Sequence, residues 1–179
     1  MEDIDIRPAV SPDIATLAKF DHSTRTTHVW QMYQNVSEGE IETGFKETGL
    51  PREMKIQYPY SPESLSQRWR NYSTIMVACI DKIPIGYISI STYFTTEVIW
   101  VKDLVTQTNW RRKGVASKML RTAIDWAKER NFFRISIEMS SKNYPAICFV
   151  KKMGFDFSGF NDNYYKNNDL ALFFARYIR

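Results

Sequence analysis

The stretch Asn109–Ser117, NWRRKGVAS, sets three consecutive cations, Arg111, Arg112 and Lys113, against a glycine just ahead of a run with helical periodicity. A helix N-terminus already carries roughly +0.5 of an elementary charge, so cations placed there cost stability unless an anion occupies the site. Gly114 allows close approach of the backbone to a ligand, and amides from Arg111 to Ala116 can turn inward around a pyrophosphate. Val115, Ala116, Met119, Leu120, Ala123, Ile124 and Ala127 then recur at the spacing of one helix face, which predicts a helix packed on a sheet.

Outward from this point the pattern changes period. STIMVACID (73–81), IPIGYISISTYF (83–94) and EVIWVKDLVTQ (97–107) are three β-rich runs, the first two joined by the tight DKIP, and they read as an antiparallel meander. Downstream, RISIEMS (134–140) reads as a strand and NYPAICFVKKMGF (143–155) as a helix ending at Gly154, with FDFSGFND and DLALFFARYI as two last strands. DLALFFARYI is apolar on both faces, as befits either the centre of a sheet or a strand that pairs across a dimer. At the other end, DIDIRPAV alternates like a strand, and SPDIATLAKFDHS follows as a helix with Ser11 as cap and Pro12 in the first turn. From His28 to Tyr60 the reading is irregular: an amphipathic VWQMYQNV, an acidic SEGEIETGFKE, and an aromatic segment broken by Pro51, Pro59 and Pro62. SPESLSQRWRN suggests a short helix with Ser61 as cap and Glu63 or Ser64 in its first turn. The order of elements is that of a mixed α/β fold.

The 179 residues fit one domain, and 44% hydrophobic with 25% charged residues is the composition of a folded unit without extended disorder. A net charge of +4, from 24 basic and 20 acidic residues, is a surplus that a phosphate-bearing cofactor accounts for; it does not indicate nucleic acid. Cys79 and Cys148 both stand in apolar company and read as core filling. The first ten residues lack the pattern of a secretion signal and there is no 18-residue apolar stretch, so the expected setting is cytoplasmic, with no membrane partner. Two lone histidines give a metal site little support.

Taken together, DLVTQTNWRRKGVASKML, ISIEMSSKN and NYPAICFVKKMGF resemble the GNAT superfamily of acyl-CoA-dependent N-acyltransferases, over Thr74 to about Arg179, and most of all its streptothricin acetyltransferase branch. The resemblance implies an α/β fold with a mixed, mainly antiparallel sheet of about seven strands flanked by helices. Within one domain, 1–73 would supply a strand, helices and the acceptor region, and 74–179 the cofactor core. It implies acetyl-CoA as cosubstrate, with backbone groups of Leu104 and Thr106 aligning the pantetheine arm. Arg111, Arg112, Lys113, Gly114, Val115, Ala116 and Ser117 would hold the pyrophosphate, and Arg112 or Lys113 could reach the outer phosphate. Asn143 matches a cofactor-contacting position, although an asparagine there is equally a plain helix cap.

Acyl transfer to an amine needs a base, an oxyanion donor and a proton for the leaving thiolate. Glu138 matches a glutamate that serves as base in relatives acetylating protein N-termini, and Asp103 is the second candidate. A charge in an apolar strand is costly unless paired, so the other reading of either is an ion pair at a strand end. A backbone N–H near Val105 can serve the oxyanion. The family's F-Y-x-K-x-G-F appears here as FVKKMGF, with Val150 in place of the tyrosine. Tyr144, Tyr164 or Tyr165 could take over, or water. Acceptor-side candidates lie in the irregular third: Asp21, His22, His28, Trp30, Glu38, Glu40, Glu42, Tyr58 and Tyr60, with Asp21 and His28 the site candidates. The expected activity is N-acetylation of a primary amine on a small basic molecule, by a monomer or homodimer; the alternatives are protein N-terminal acetylation and a non-catalytic acyl-CoA sensor.

Overall fold

The computed structural model describes residues 3–61, 64–93 and 97–178; Pro62, Glu63 and Phe94, read above as parts of elements, lie outside them, as do Met1, Glu2 and Arg179. In chain order the elements are β1 (Asp5–Pro8), α1 (Ser11–Leu17), β2 (Thr24–Ser37), β3 (Glu40–Ile56), α2 (Leu65–Arg68), β4 (Thr74–Ile80), β5 (Ile83–Tyr93), β6 (Val98–Thr106), α3 (Val115–Glu129), β7 (Arg134–Ser140), α4 (Tyr144–Lys152), β8 (Asp156–Asn161) and β9 (Ala171–Tyr177).

The β-rich runs form the expected meander, within a seven-stranded sheet of order β1-β4-β5-β6-β7-β9-β8. Asp81 and Lys82, both at positive φ (49° and 66°), make the two-residue turn whose twist suits a hairpin. One pair, β6 with β7, is parallel, and the others are antiparallel. β9 lies between β7 and β8, which accounts for its apolar residues on both faces.

Each face of the sheet has its own core. Met119, Leu120 and Ala123 of α3 with Ile147 and Val150 of α4 cover one face against Ile88, Ile90, Ile99 and Ile135. Ile14 and Leu17 of α1 with Leu65 cover the other against Val77, Tyr87 and Val105. Close packing of α3 requires a glycine on β5: a Cβ at Gly86 would stand 2.9 Å from the Val105 carbonyl oxygen and 3.0 Å from the Met119 methyl. Cys79 is buried as read from the sequence, but Cys148 is exposed, on the polar side of α4.

Three local readings change. The cap of α2 is Ser64, not Ser61. The cap of α1 is Val10, not Ser11. Asp13 accepts the Val10 N–H at 2.8 Å and is gripped by Arg7 at 2.7 and 2.9 Å, doing from inside the first turn what a capping side chain does from before it. The irregular third is a long antiparallel hairpin, β2 with β3, closed at Glu38–Gly39 with Gly39 at φ +79°. Pro51 does not break it, because the pairing passes from Thr26↔Met54 to His28↔Gly49 and leaves Leu50–Glu53 out of register, where no ladder N–H is required.

Candidate active site

The site begins where two central strands part. Parallel pairing of β6 with β7 runs from Val98↔Arg134 to Val101↔Ile137 and stops. At the same level the β5–β6 register passes from Ile90↔Val101 to Ser89↔Asp103, so Lys102 is the extra residue of a β-bulge, and the bulge bends β6 away from β7. Lys102–Thr106 then has β5 on one edge and the other edge open. The Gln107 N–H donates to the Ile85 carbonyl at 2.9 Å, and strand alternation therefore turns the Val105 N–H toward Tyr87 and the Leu104 N–H and C=O toward the open edge. This orientation suits the reading of Leu104 and Thr106 as backbone partners. The Val105 N–H itself is spent within the sheet, and the N–H near it that faces the open edge is that of Leu104.

A cavity of about 850 Å³ follows this edge from Glu138 past Leu104, Val105 and Thr106 to Gly114, Val115, Ala116 and Ser117. α4 forms one wall through Tyr144, Cys148 and Phe149, and the other is built by His22, the base of β2 and Tyr58–Tyr60. At the head of α3, Gly114 caps the helix at φ +85°, a conformation that costs a side chain dearly, and a Cβ there would meet nothing within 4 Å. The α-helical ladder starts with the Lys118 N–H on the Gly114 carbonyl, so the N–H groups of Val115, Ala116 and Ser117 precede it and are left for an anion.

The three cations of the opening motif divide. Arg111 is spent on structure: its guanidinium donates to the carbonyls of Thr106 (3.1 Å) and Asp21, strapping the loop to the end of β6. The Lys113 ammonium stacks over the Trp110 ring at 4.7 Å, and Lys113 is not among the residues that line the cavity. Arg112, itself at φ +62°, does line it. Asn143 is the N-cap of α4, its side-chain oxygen accepting the Ala146 N–H at 3.3 Å, and also borders the cavity.

Glu138 faces the gap between the strands with its side chain 3% exposed. Lys102 Nζ donates to its Oε2 at 3.0 Å, the Tyr164 hydroxyl to Oε2 at 3.0 Å, and the Tyr60 hydroxyl to Oε1 at 3.3 Å. Burial, with the neighbouring carboxylate second, pushes the Tyr164 phenol up to about 12 and that of Tyr60 further. Both therefore stay protonated at neutral pH and donate hydrogen bonds to the carboxylate. Of the tyrosines considered for the missing family position, Tyr164 thus reaches the carboxylate and Tyr165 is buried beside it, 5.0 Å ring to ring.

Asp103 does not join this group. It is 2% exposed, accepts from the hydroxyls of Tyr58 and Ser89, and has Arg68 at 3.9 Å. Its carboxylate is consumed in a buried network off the cavity lining, so the ion-pair reading applies to it. His22 borders the same network: its Nδ1–H donates to the Phe20 carbonyl at 2.7 Å and its Nε2 accepts from Tyr87 at 2.9 Å. Burial holds the imidazole below its ordinary range, hence neutral. Tyr144 lines the cavity at the start of α4; its hydroxyl donates to Glu47 at 2.8 Å and its ring lies 5.0 Å from His28, so it ties the hairpin to α4 and does not meet Glu138. Asp21 holds a turn through the Ser23 N–H and hydroxyl, and Glu38, Glu40 and Glu42 sit exposed at the hairpin tip. Lys102 was not singled out from the sequence, although a lysine in the apolar run WVKDLV is as anomalous as the glutamate in SIEMS.

Residues 42–155, more than half of the chain, match the model of the Acetyltransferase (GNAT) family. The chain belongs to this family. Streptothricin acetyltransferase A of Bacillus subtilis is 31% identical over 77 residues, 41% of this chain and 44% of that protein, so the chain matches less than half the length of this curated relative. The fold is that of solved family structures over nearly the whole chain. Nourseothricin acetyltransferase superposes with a TM-score of 0.83 at 20% identity, covering 98% of this chain and 99% of that one. A Bacillus anthracis protein solved in complex with acetyl coenzyme A gives 0.75 at 20% identity with the same coverage. Among the described residues no group of His, Cys, Asp and Glu is placed to hold a metal ion, and no helix is long and apolar enough to cross a membrane.

Proposed function

We propose that the chain transfers an acetyl group from acetyl-CoA to a primary amine on a small basic molecule. The observation that carries this is a single cavity in which the open edge of β6 leads directly into the N-terminus of α3. A pantetheine arm offers amides that pair with Leu104 and Thr106 as an added strand would, and its pyrophosphate meets the N–H groups of Val115–Ser117 and the side chain of Arg112. The thioester carbonyl then comes to the gap beside Lys102 and Glu138, with the Leu104 N–H available to the oxyanion; a donor of this kind is worth about 10²–10³ in rate.

An alkylamine with a pKa near ~10 arrives as the ammonium and must lose a proton before it attacks. Glu138 is the group in the gap able to take it, and an incoming ammonium exchanges with that of Lys102 on the carboxylate. The core position of Val150 supplies no phenol for the leaving thiolate, but a thiol with a pKa near ~8.5 is a tolerable leaving group and takes its proton from water. Streptothricin, in the name of the B. subtilis relative, is the first acceptor to try.

The test is release of CoA thiol from acetyl-CoA against a panel of streptothricin, aminoglycosides, polyamines, lysine and N-terminal peptides. Turnover with a small amine supports the proposal. Turnover confined to peptides would transfer it to protein N-termini. Tight acetyl-CoA binding with silence across the panel would favour a non-catalytic acyl-CoA sensor, the reading that the buried Val150 supports.

A further inference from the structure

We propose that Lys102 is an acetyl acceptor within the chain itself, its Nζ taking one acetyl group from acetyl-CoA bound in the same cavity; this rests on the assignment of acetyl-CoA to that cavity. The proposed function requires a primary amine to stand against Glu138 in the gap between β6 and β7. The chain already holds one there: Lys102 Nζ is 3.0 Å from Glu138 Oε2. Its position is fixed from both ends. The bulge that opens the site is built on Lys102, so its side chain springs from the point where the open edge begins, and the ammonium rests 5.2 Å over the Trp100 ring. The side chain is 22% exposed and borders the cavity, accessible to a ligand without unfolding. Of the other cations near the cavity, Arg111 is held on backbone carbonyls, Lys113 on Trp110 and Arg68 beside Asp103, and Arg112 lines the far end at the head of α3, away from Glu138.

The step balances without a further reagent. The Lys102 ammonium gives one proton to the Glu138 carboxylate, which passes it to solvent. The freed Nζ lone pair attacks the thioester carbon, the carbon–sulfur bond breaks, and the departing CoA thiolate takes the second nitrogen-bound proton. The products are N-acetyl-Lys102, CoA thiol and one proton. Acetylation removes the charge and breaks the ion pair, leaving Glu138 with its two phenols. The reaction is self-limiting at one acetyl group per chain, and the acceptor amine competes with it for the carboxylate.

The experiment incubates the folded protein with acetyl-CoA and no added amine, then reads intact mass and peptide mass spectra over time, with acetyl-CoA binding measured separately by calorimetry. The expected result is one added acetyl group on the peptide containing Lys102, absent in Lys102→Arg, slowed about a hundredfold in Glu138→Gln, and abolished in urea, where surface lysines still react. Label spread over exposed lysines at a rate unaffected by Glu138→Gln overturns the proposal. So does an unmodified Lys102 in protein that binds acetyl-CoA and acetylates a free amine, which leaves the proposed function standing. Absence of acetyl-CoA binding overturns both together.

Discussion

The cofactor side of the molecule and the hairpin side are built by opposite means. Along β6, α3, β7 and α4, each element is specified by its own periodicity and buried by its neighbours; Met119, Leu120 and Ala123 are fully enclosed. The β2–β3 hairpin is held at its base and projects from there, with Val36 and Ile41 paired across its tip, each 69% exposed. The first arrangement fixes backbone groups to the accuracy that a thioester demands. The second sets a wall beside the cavity, attached by few contacts, chiefly the Trp30 N–H on the Ser141 carbonyl, the Tyr144 hydroxyl on Glu47, and Phe45 packed against Phe157 and Phe160. Position is thus invested along the open edge of β6 and the head of α3, and reach in the hairpin.

The contrast breaks most visibly in stability. Leu120→Ala, in the enclosed face of α3, is expected to cost about 3 kcal/mol in urea unfolding. A loss below about 1 kcal/mol would mean that the α3 interface collapses on itself and is less tightly specified than its burial implies. Next comes chemistry: Glu138→Gln should lower kcat about a hundredfold in the amine assay while calorimetry shows acetyl-CoA affinity unchanged. Equal losses in both would make Glu138 part of the cofactor's support and not the base. A smaller effect lies at the seam between the two regions. His22 is held neutral by burial, so below its ordinary value of 6.5 the unfolded chain takes up a proton that the folded chain resists, and stability falls as the pH drops through that range. His22→Gln should flatten that slope in melting curves between pH 7 and pH 5, and an unchanged slope assigns it to other groups. The smallest effect is at the hairpin tip, where Val36→Ala should stay within about 0.5 kcal/mol of the parent. A larger loss there would show that the tip is packed against something in solution.

The same divide governs what the sequence makes legible. The meander, α3, β7 and α4 follow from local period and from turn residues such as Asp81–Lys82 and Gly154, and the cations set before a helix start point to the end of the cavity at the head of α3. What the letters withhold is non-local. Tyr60 and Tyr164 reach Glu138 from 78 and 26 residues away, and nothing in QYPYSP or NDNYYK marks either as its partner. Within RRK, the division of Arg111, Arg112 and Lys113 into strap, cavity-lining and stacked cations depends on where Thr106, Asp21 and Trp110 come to lie. Asp103 and Glu138 look alike as charges in apolar strands. Only the bulge at Lys102, invisible in the alternation of WVKDLV, sends one into the buried network and the other into the gap. The hairpin escapes because its outer half buries neither face, so the alternation that betrays a strand has nothing to separate.

The two-residue closure at Glu38–Gly39 carries a consequence for length. Below it, the pairs Met32↔Phe45 and Trp30↔Glu47 share the face that meets α4 and β8. Residues removed in equal number from both arms above these pairs leave their register untouched, so the wall can be cut or extended like a tape without retuning its anchor. One residue removed from a single arm shifts the frame and turns Phe45 away from Phe157 and Phe160. Matched removal or addition in both arms is therefore the change of length that leaves this anchor as it is, whereas an unmatched one needs a further bulge or a longer turn to absorb it.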